Sequence, residues 1–155
     1  METRQEKAVR LFKDGFNCSQ AVFAAFADKY GMDEETALKL SSSFGGGMGR
    51  MREVCGAVSG MFMVAGLETG SANPGDKEGK AYNYQVVREL ADEFKKENGS
   101  IICRELLGLD KNIDEKSKKE LVESHRPQER TDEYYKKRPC VELVAQAVEI
   151  LEKRF

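Results

Sequence analysis

The stretch "VCGAVSGMFMVAGL", residues 54–67, runs for fourteen residues without a charge and is bounded by Glu53 and Glu68. A helix that is apolar all round belongs inside a fold. The segment therefore predicts a buried central helix, and it is shorter than the roughly 20 residues a membrane span requires. Gly56 and Gly60 lie four apart on one side of this helix, where missing side chains let a neighbouring helix come close.

Working outward, the residues just before it, "FGGGMGRMRE" (44–53), place Gly45, Gly46, Gly47 and Gly49 in a tight loop that ends in Arg50 and Arg52. The loop lacks the Lys-Ser/Thr of a nucleotide-binding P-loop and follows a helical pattern rather than a strand, so the phosphate-cradle reading is weak. Its glycines supply positive φ angles for a sharp turn. Their exposed N–H groups could also form an anion nest which, with Arg50, would stabilise a nearby thiolate at Cys55.

The rest of the chain reads as helices. Ala8, Leu11 and Phe12 mark one face of a helix over 2–14. Asn17 with Gln20 forms a capping-box pattern that opens a second helix, closed by Gly31, and Asp33 caps a third running to about residue 43. A long helix follows the Asn73-Pro74-Gly75 turn and stops at Gly99. Ser100 is read as the cap of a short helix, and Pro139 as the first turn of the last one. Residues 110–138 hold few large apolar side chains and are expected to lie on the surface. The expected fold is all-α: a compact multi-helix bundle, a single domain over residues 1–155.

On this map the four cysteines fall at helix starts: Cys18 after the Asn17 cap, Cys55 opening the buried helix, Cys103 three past Ser100, Cys140 after Pro139. Unpaired N–H groups and the helix dipole at such positions favour a thiolate, the form that attacks disulfides and binds metals. Cys18 heads an apolar stripe with Val22 and Phe26, and Cys140 one with Val144 and Val148, so both should point inward. Four inward thiols at helix starts could meet at one end of the bundle. Against this stands the ordinary use of a buried cysteine as a small hydrophobe. No C-x-x-C is present, which removes the thioredoxin-type dithiol and the paired spacings of zinc ribbons and ferredoxins.

Bulk properties narrow the function classes. Net charge is −2 and the pI about 5.6, which gives no overall basic field for nucleic acid. Residues 2–10 are mostly polar, with no secretory h-region. A cytoplasmic protein is expected. Cysteines in that compartment are seldom structural bridges. His125, the single histidine, sits in a polar stretch and reads as a surface residue. The methionines at 48, 51, 61 and 63 read as packing.

Cys55-Gly56-Ala57-Val58-Ser59-Gly60, with Cys18 before it and Cys103 and Cys140 after it, resembles the C_GCAxxG_C_C family of putative redox-active proteins. The label writes Gly-Cys-Ala where this chain reads Cys-Gly-Ala. The Gly45–Arg50 loop also looks like that family, and the likeness runs from about Asn17 to the C-terminal helix. It implies a small helical protein with a redox role through its cysteines. A domain of this type is also similar to part of some multihaem redox proteins with an iron–sulfur centre. This chain has no C-x-x-C-H for covalent haem.

The leading expectation is a cysteine-based redox protein in which Cys55 is the activated thiol and Cys18, Cys103 and Cys140 complete a shared site. That site is a reversible disulfide or a metal centre, with an iron–sulfur cluster favoured over zinc. Two alternatives stay open. One is a non-catalytic helical interaction or carrier domain with packed cysteines; the other is a small-molecule or anion site at the Gly45–Arg52 loop. The redox partner is unidentified, and a homodimer is compatible with the small residues of the central helix.

Overall fold

The computed structural model describes residues 1–111 and 113–155. Among them the chain forms nine α-helices and no β-sheet. Thr3 caps α1 (Arg4–Lys13) by accepting from the Glu6 N–H. The predicted capping box forms at α2 (Cys18–Ala24), where Asn17 accepts from Gln20 N–H and the Gln20 side chain accepts from Asn17 N–H. The α-helical part of α2 ends at Ala24; a 3₁₀ turn then carries the chain to left-handed Gly31. Asp33 caps α3 (Glu34–Ser41), which tightens into a second 3₁₀ turn through Phe44.

The uncharged stretch becomes α4 (Gly56–Thr69), with Cys55 as its N-cap residue. Its first turns are buried throughout, from Gly56 to Met61, but Gly66 and Leu67 emerge at the surface. The helix is thus central at one end only. A Cβ on Gly60 would lie 2.9 Å from Val22 Cβ, and one on Gly56 3.2 Å from Cys18 Cβ. Such distances leave no room for a side chain, so these two glycines let α4 lie close against α2.

Asp76 caps the long α5 (Lys77–Asn98), and left-handed Gly99 ends it. It buries Val86, Leu90 and Phe94 along one stripe. The short α6 (Cys103–Leu106) is preceded by Ile102. Ser100, expected to cap it, instead lies two residues earlier and accepts from the Ile102 N–H. The last helix, α9 (Cys140–Arg154), begins directly after Pro139 and buries Leu143, Val144, Ala147, Val148 and Leu151. Helices α1, α2, α4, α5 and α9 share one apolar core.

Residues 113–139 behave differently. They form α7 (Glu115–Lys118), a wider π-helical turn over 119–123, and α8 (Asp132–Lys137). None of the described side chains in this strap is fully buried, as the polar composition led us to expect.

Candidate functional site

The glycine loop folds into an unusual backbone. Gly46, Gly47, Met48, Gly49 and Arg50 all have φ between 58° and 75°, and Arg52 follows at 59°. L-residues pay for left-handed geometry, roughly 1–2 kcal/mol each. Three of these positions, Met48, Arg50 and Arg52, carry side chains. The turn is closed internally: the N–H groups of Met48, Gly49, Arg50, Arg52 and Glu53 donate to carbonyls of residues 43–47. Those N–H groups are therefore committed to the loop itself. The loop is thus a closed left-handed turn.

This turn directs two arginines across to the strap. Arg50 donates to the carbonyls of Ser124 (2.8 Å), Arg126 and, more distantly, Glu120. Arg52 Nε donates to the Leu121 carbonyl at 2.6 Å. From the strap itself, Arg130 reaches back to the carbonyls of Phe12 and Phe16 and covers the Phe12 ring at 4.2 Å. Charge-assisted bonds to carbonyls of this kind fasten a segment that has little apolar surface to bury.

Beneath the strap lies a cavity of about 290 Å³. All four cysteines line it, as do Gly45, Gly46, Gly47, Gly49 and Arg50. Cys18, Cys103 and Cys140 are the first residues of α2, α6 and α9, and Cys55 is the N-cap residue of α4. A two-stranded contact brings Cys55 and Cys103 together: Val54 pairs antiparallel with Ile102, Cys55 N–H donates to the Ile101 carbonyl, and Cys103 N–H to that of Glu53. Gly47 seats against this pairing, where a Cβ would fall 2.7 Å from Cys103 Cβ. Gly45 is tighter still, where a Cβ would fall 2.2 Å from the Asn17 side chain.

The four thiols are free and differ in their electrostatics. Cys18 and Cys140 share a side-chain hydrogen bond, which raises Cys18 well above the ordinary thiol range and lowers Cys140 below it. The positive charges of Arg138, Arg52 and Arg130 hold Cys140 in the same direction. Burial pushes Cys55 up to about 12, even though the N–H groups of Ala57 and Val58 face its sulfur and favour the thiolate. Burial also raises Cys103, against the opposing pull of Arg52, whose Nη1 donates to its sulfur at 3.6 Å. The thiol with an eased ionisation is thus Cys140. Cys55, the sequence candidate for activation, is held protonated by its dry surroundings.

Among the described residues no group of three or more His, Cys, Asp or Glu side chains is arranged to hold a metal ion. The four thiols face one cavity. His125 lines the cavity and is exposed. Sequence reasoning missed Arg130, Arg138 and Tyr134 as lining residues. They lie in a charged stretch that reads as a solvated face, and only the use of arginine among its lysines hints at hydrogen-bonding duty.

These features define a class: a small all-α protein whose free thiols gather at helix starts around an arginine-lined cavity. The chain belongs to the C_GCAxxG_C_C family, described as "Putative redox-active protein", which it matches over residues 16–154. No curated protein and no solved structure matches it. Among the described residues no helix is long and apolar enough to cross a membrane.

Proposed function

We propose that the chain acts as one helical domain and is a thiol-based redox protein that cycles between a Cys18/Cys140 dithiol and a disulfide. The observation that carries this reading is the placement of these two thiols: each opens a core helix, both line the one cavity, and they titrate as an interacting pair with the charges of Arg138, Arg52 and Arg130 favouring the Cys140 thiolate. Cys140 also stands at the start of the fifteen-residue α9, where the dipole favours an anion. In the oxidising direction the Cys140 thiolate attacks one sulfur of a disulfide-bearing partner, and the partner's other sulfur leaves as a thiolate. Cys18 gives its proton to that leaving group and attacks the Cys140 sulfur. The Cys18–Cys140 bond forms, the second partner sulfur leaves, and two electrons have passed from protein to partner. Cys55 and Cys103 serve as the packed wall of the site.

Mild oxidation with diamide followed by peptide mapping tests this. A Cys18–Cys140 linkage is expected; an oxidised protein linked only through Cys55 or Cys103, or not linked at all, would overturn it. One observation favours a second reading, a thiolate-bound metal or iron–sulfur centre: all four soft donors border one cavity whose arginines would offset negative charge. Iron and sulfide in stoichiometric amount after anaerobic purification would favour that reading over the disulfide.

A further inference from the structure

The cavity beneath the strap is lined by charges of one sign. Arg50, Arg52, Arg130 and Arg138 border it, and among the described residues no Asp or Glu does. Arg50 and Arg130 are engaged with backbone carbonyls on the strap and at the end of α1. Arg52 is different. It is only 5% exposed, yet it makes no ion pair with a carboxylate among the described residues. Its hydrogen bonds run from Nε to the Leu121 carbonyl and from Nη1 to the Cys103 sulfur, which leaves Nη2 without a protein acceptor among the described residues.

A buried guanidinium without a counter-charge is costly, and the cost falls when an anion is supplied. Within the protein, burial raises the neighbouring Cys103 thiol, and a Cys140 thiolate would supply one negative charge against the four guanidinium groups that border the cavity. The planar fork of arginine matches the geometry of carboxylate, sulfate and phosphate groups. At about 290 Å³ the cavity has room for several water-sized atoms, each with a share of about 30 Å³ in the liquid. It is at the small end for an organic ligand.

We propose that this cavity binds a compact oxyanion through the free edge of Arg52, with Arg138 adding charge, and holds it beside Cys103 and Cys140. The assignment rests on the redox reading only in making this anion part of a substrate presented to Cys140. The clamp itself stands on the arginines. The ligand's shared chemistry is the oxyanion group, carried by an inorganic tetrahedral ion or by a small organic acid.

Calorimetric titration of the reduced full chain with sulfate and, separately, with malonate tests the proposal and separates those two sources. Saturable binding of either anion is expected, weakened at least about tenfold in Arg52→Met, which loses the charge-assisted hydrogen bond to the anion. The exposed Arg88→Met on α5 should bind as the parent does. Cys140→Ser should still bind, which makes failure of the clamp distinguishable from failure of the disulfide chemistry. Should Arg52→Met not fold, arginine-specific labelling of the unaltered protein replaces it: bound sulfate or malonate should protect Arg52 from a phenylglyoxal reagent. Absence of saturable binding, equal binding by folded Arg52→Met, or equal labelling with and without the anion would overturn the proposal.

Discussion

The core beneath the site and the strap above it are held by different physics. The core joins α1, α2, α4, α5 and α9 through buried aliphatic and aromatic side chains, with Gly56 and Gly60 setting how closely α2 and α4 approach. The strap has no fully buried described side chain and is held chiefly by guanidinium groups on backbone carbonyls, with Tyr134 and Tyr135 half-buried against the core and Tyr135 edge-on to Phe12. Three thiols begin helices of the core side or its edge, while the arginines that face them either belong to the strap or bond to it. The comparison teaches a division of labour: packing fixes the sulfurs, and a polar cover held by directional bonds decides how they ionise and what reaches them.

The largest expected effect tests the core half of that contrast. Phe94 is fully buried on α5, and Phe94→Ala should lower unfolding free energy by about 3–5 kcal/mol, read by denaturant titration. A loss below about 1 kcal/mol would mean that α5 is not part of the main cooperative unit. Next is the joint between the two regions. Gly47→Ala would place a methyl 2.7 Å from Cys103 Cβ and from the Arg52 Cα, in a left-handed conformation, so a loss of roughly 2–4 kcal/mol is expected. An unaffected melting temperature would show that the left-handed turn relaxes without consequence.

The third effect depends on pH. Cys55 ionises in the unfolded chain near its ordinary value but in the folded protein only at about 12. Between those values the folded state keeps a proton that the unfolded state has lost. Stability from this group is therefore complete below about pH 8 and falls as pH rises, by up to ~1.4 kcal/mol per unit. The raised Cys18 and Cys103 act in the same direction, while the lowered Cys140 acts oppositely. Cys55→Ala should flatten the alkaline slope of a melting series; an unchanged slope would show that Cys55 is not held protonated in the fold.

The smallest effect concerns the cover alone. Arg130→Met removes the bonds to the Phe12 and Phe16 carbonyls and should cost about 1–2 kcal/mol of local rather than global stability. Its signature is faster alkylation of Cys140, by roughly tenfold when both proteins are compared at a pH that ionises this thiol in each, since loss of the Arg130 charge by itself disfavours the thiolate, with little change in the melting temperature. Equal alkylation rates would mean that the strap does not limit access to the thiols.

The helices of the core were legible because each is set by local rules. The Asn17/Gln20 box, the Asp33 cap and Gly99 act within four residues of their own positions, and the apolar stripes repeat with the helical period. The placement of Cys18 and Cys140 at helix starts followed from the same rules, while Cys103 came out at a helix start although the cap assigned to it was wrong. Ser100 was misread because its side chain takes a local turn N–H two residues on and leaves the cap position to Ile102. The exposed end of α4 escaped notice because an uncharged run records hydrophobicity and not which neighbours are there to cover it.

The choice among the thiols was beyond sequence reading. Cys55 follows two arginines and a glycine loop, which suggests activation, but its ionisation is set by the depth of burial, and the guanidinium charges bear instead on Cys103 and Cys140. That pairing depends on a left-handed turn at residues 46–50 and on a strap tens of residues away. The sequence by itself determined an all-α chain with a buried helix, a polar segment and thiols at helix starts, because capping and periodicity are short-range. Only the tertiary structure decided that four thiols and four arginines share one cavity, where burial raises Cys55 and the guanidinium charges favour ionisation at Cys140. Burial and charge depend on what the fold brings near, and no local pattern encodes that.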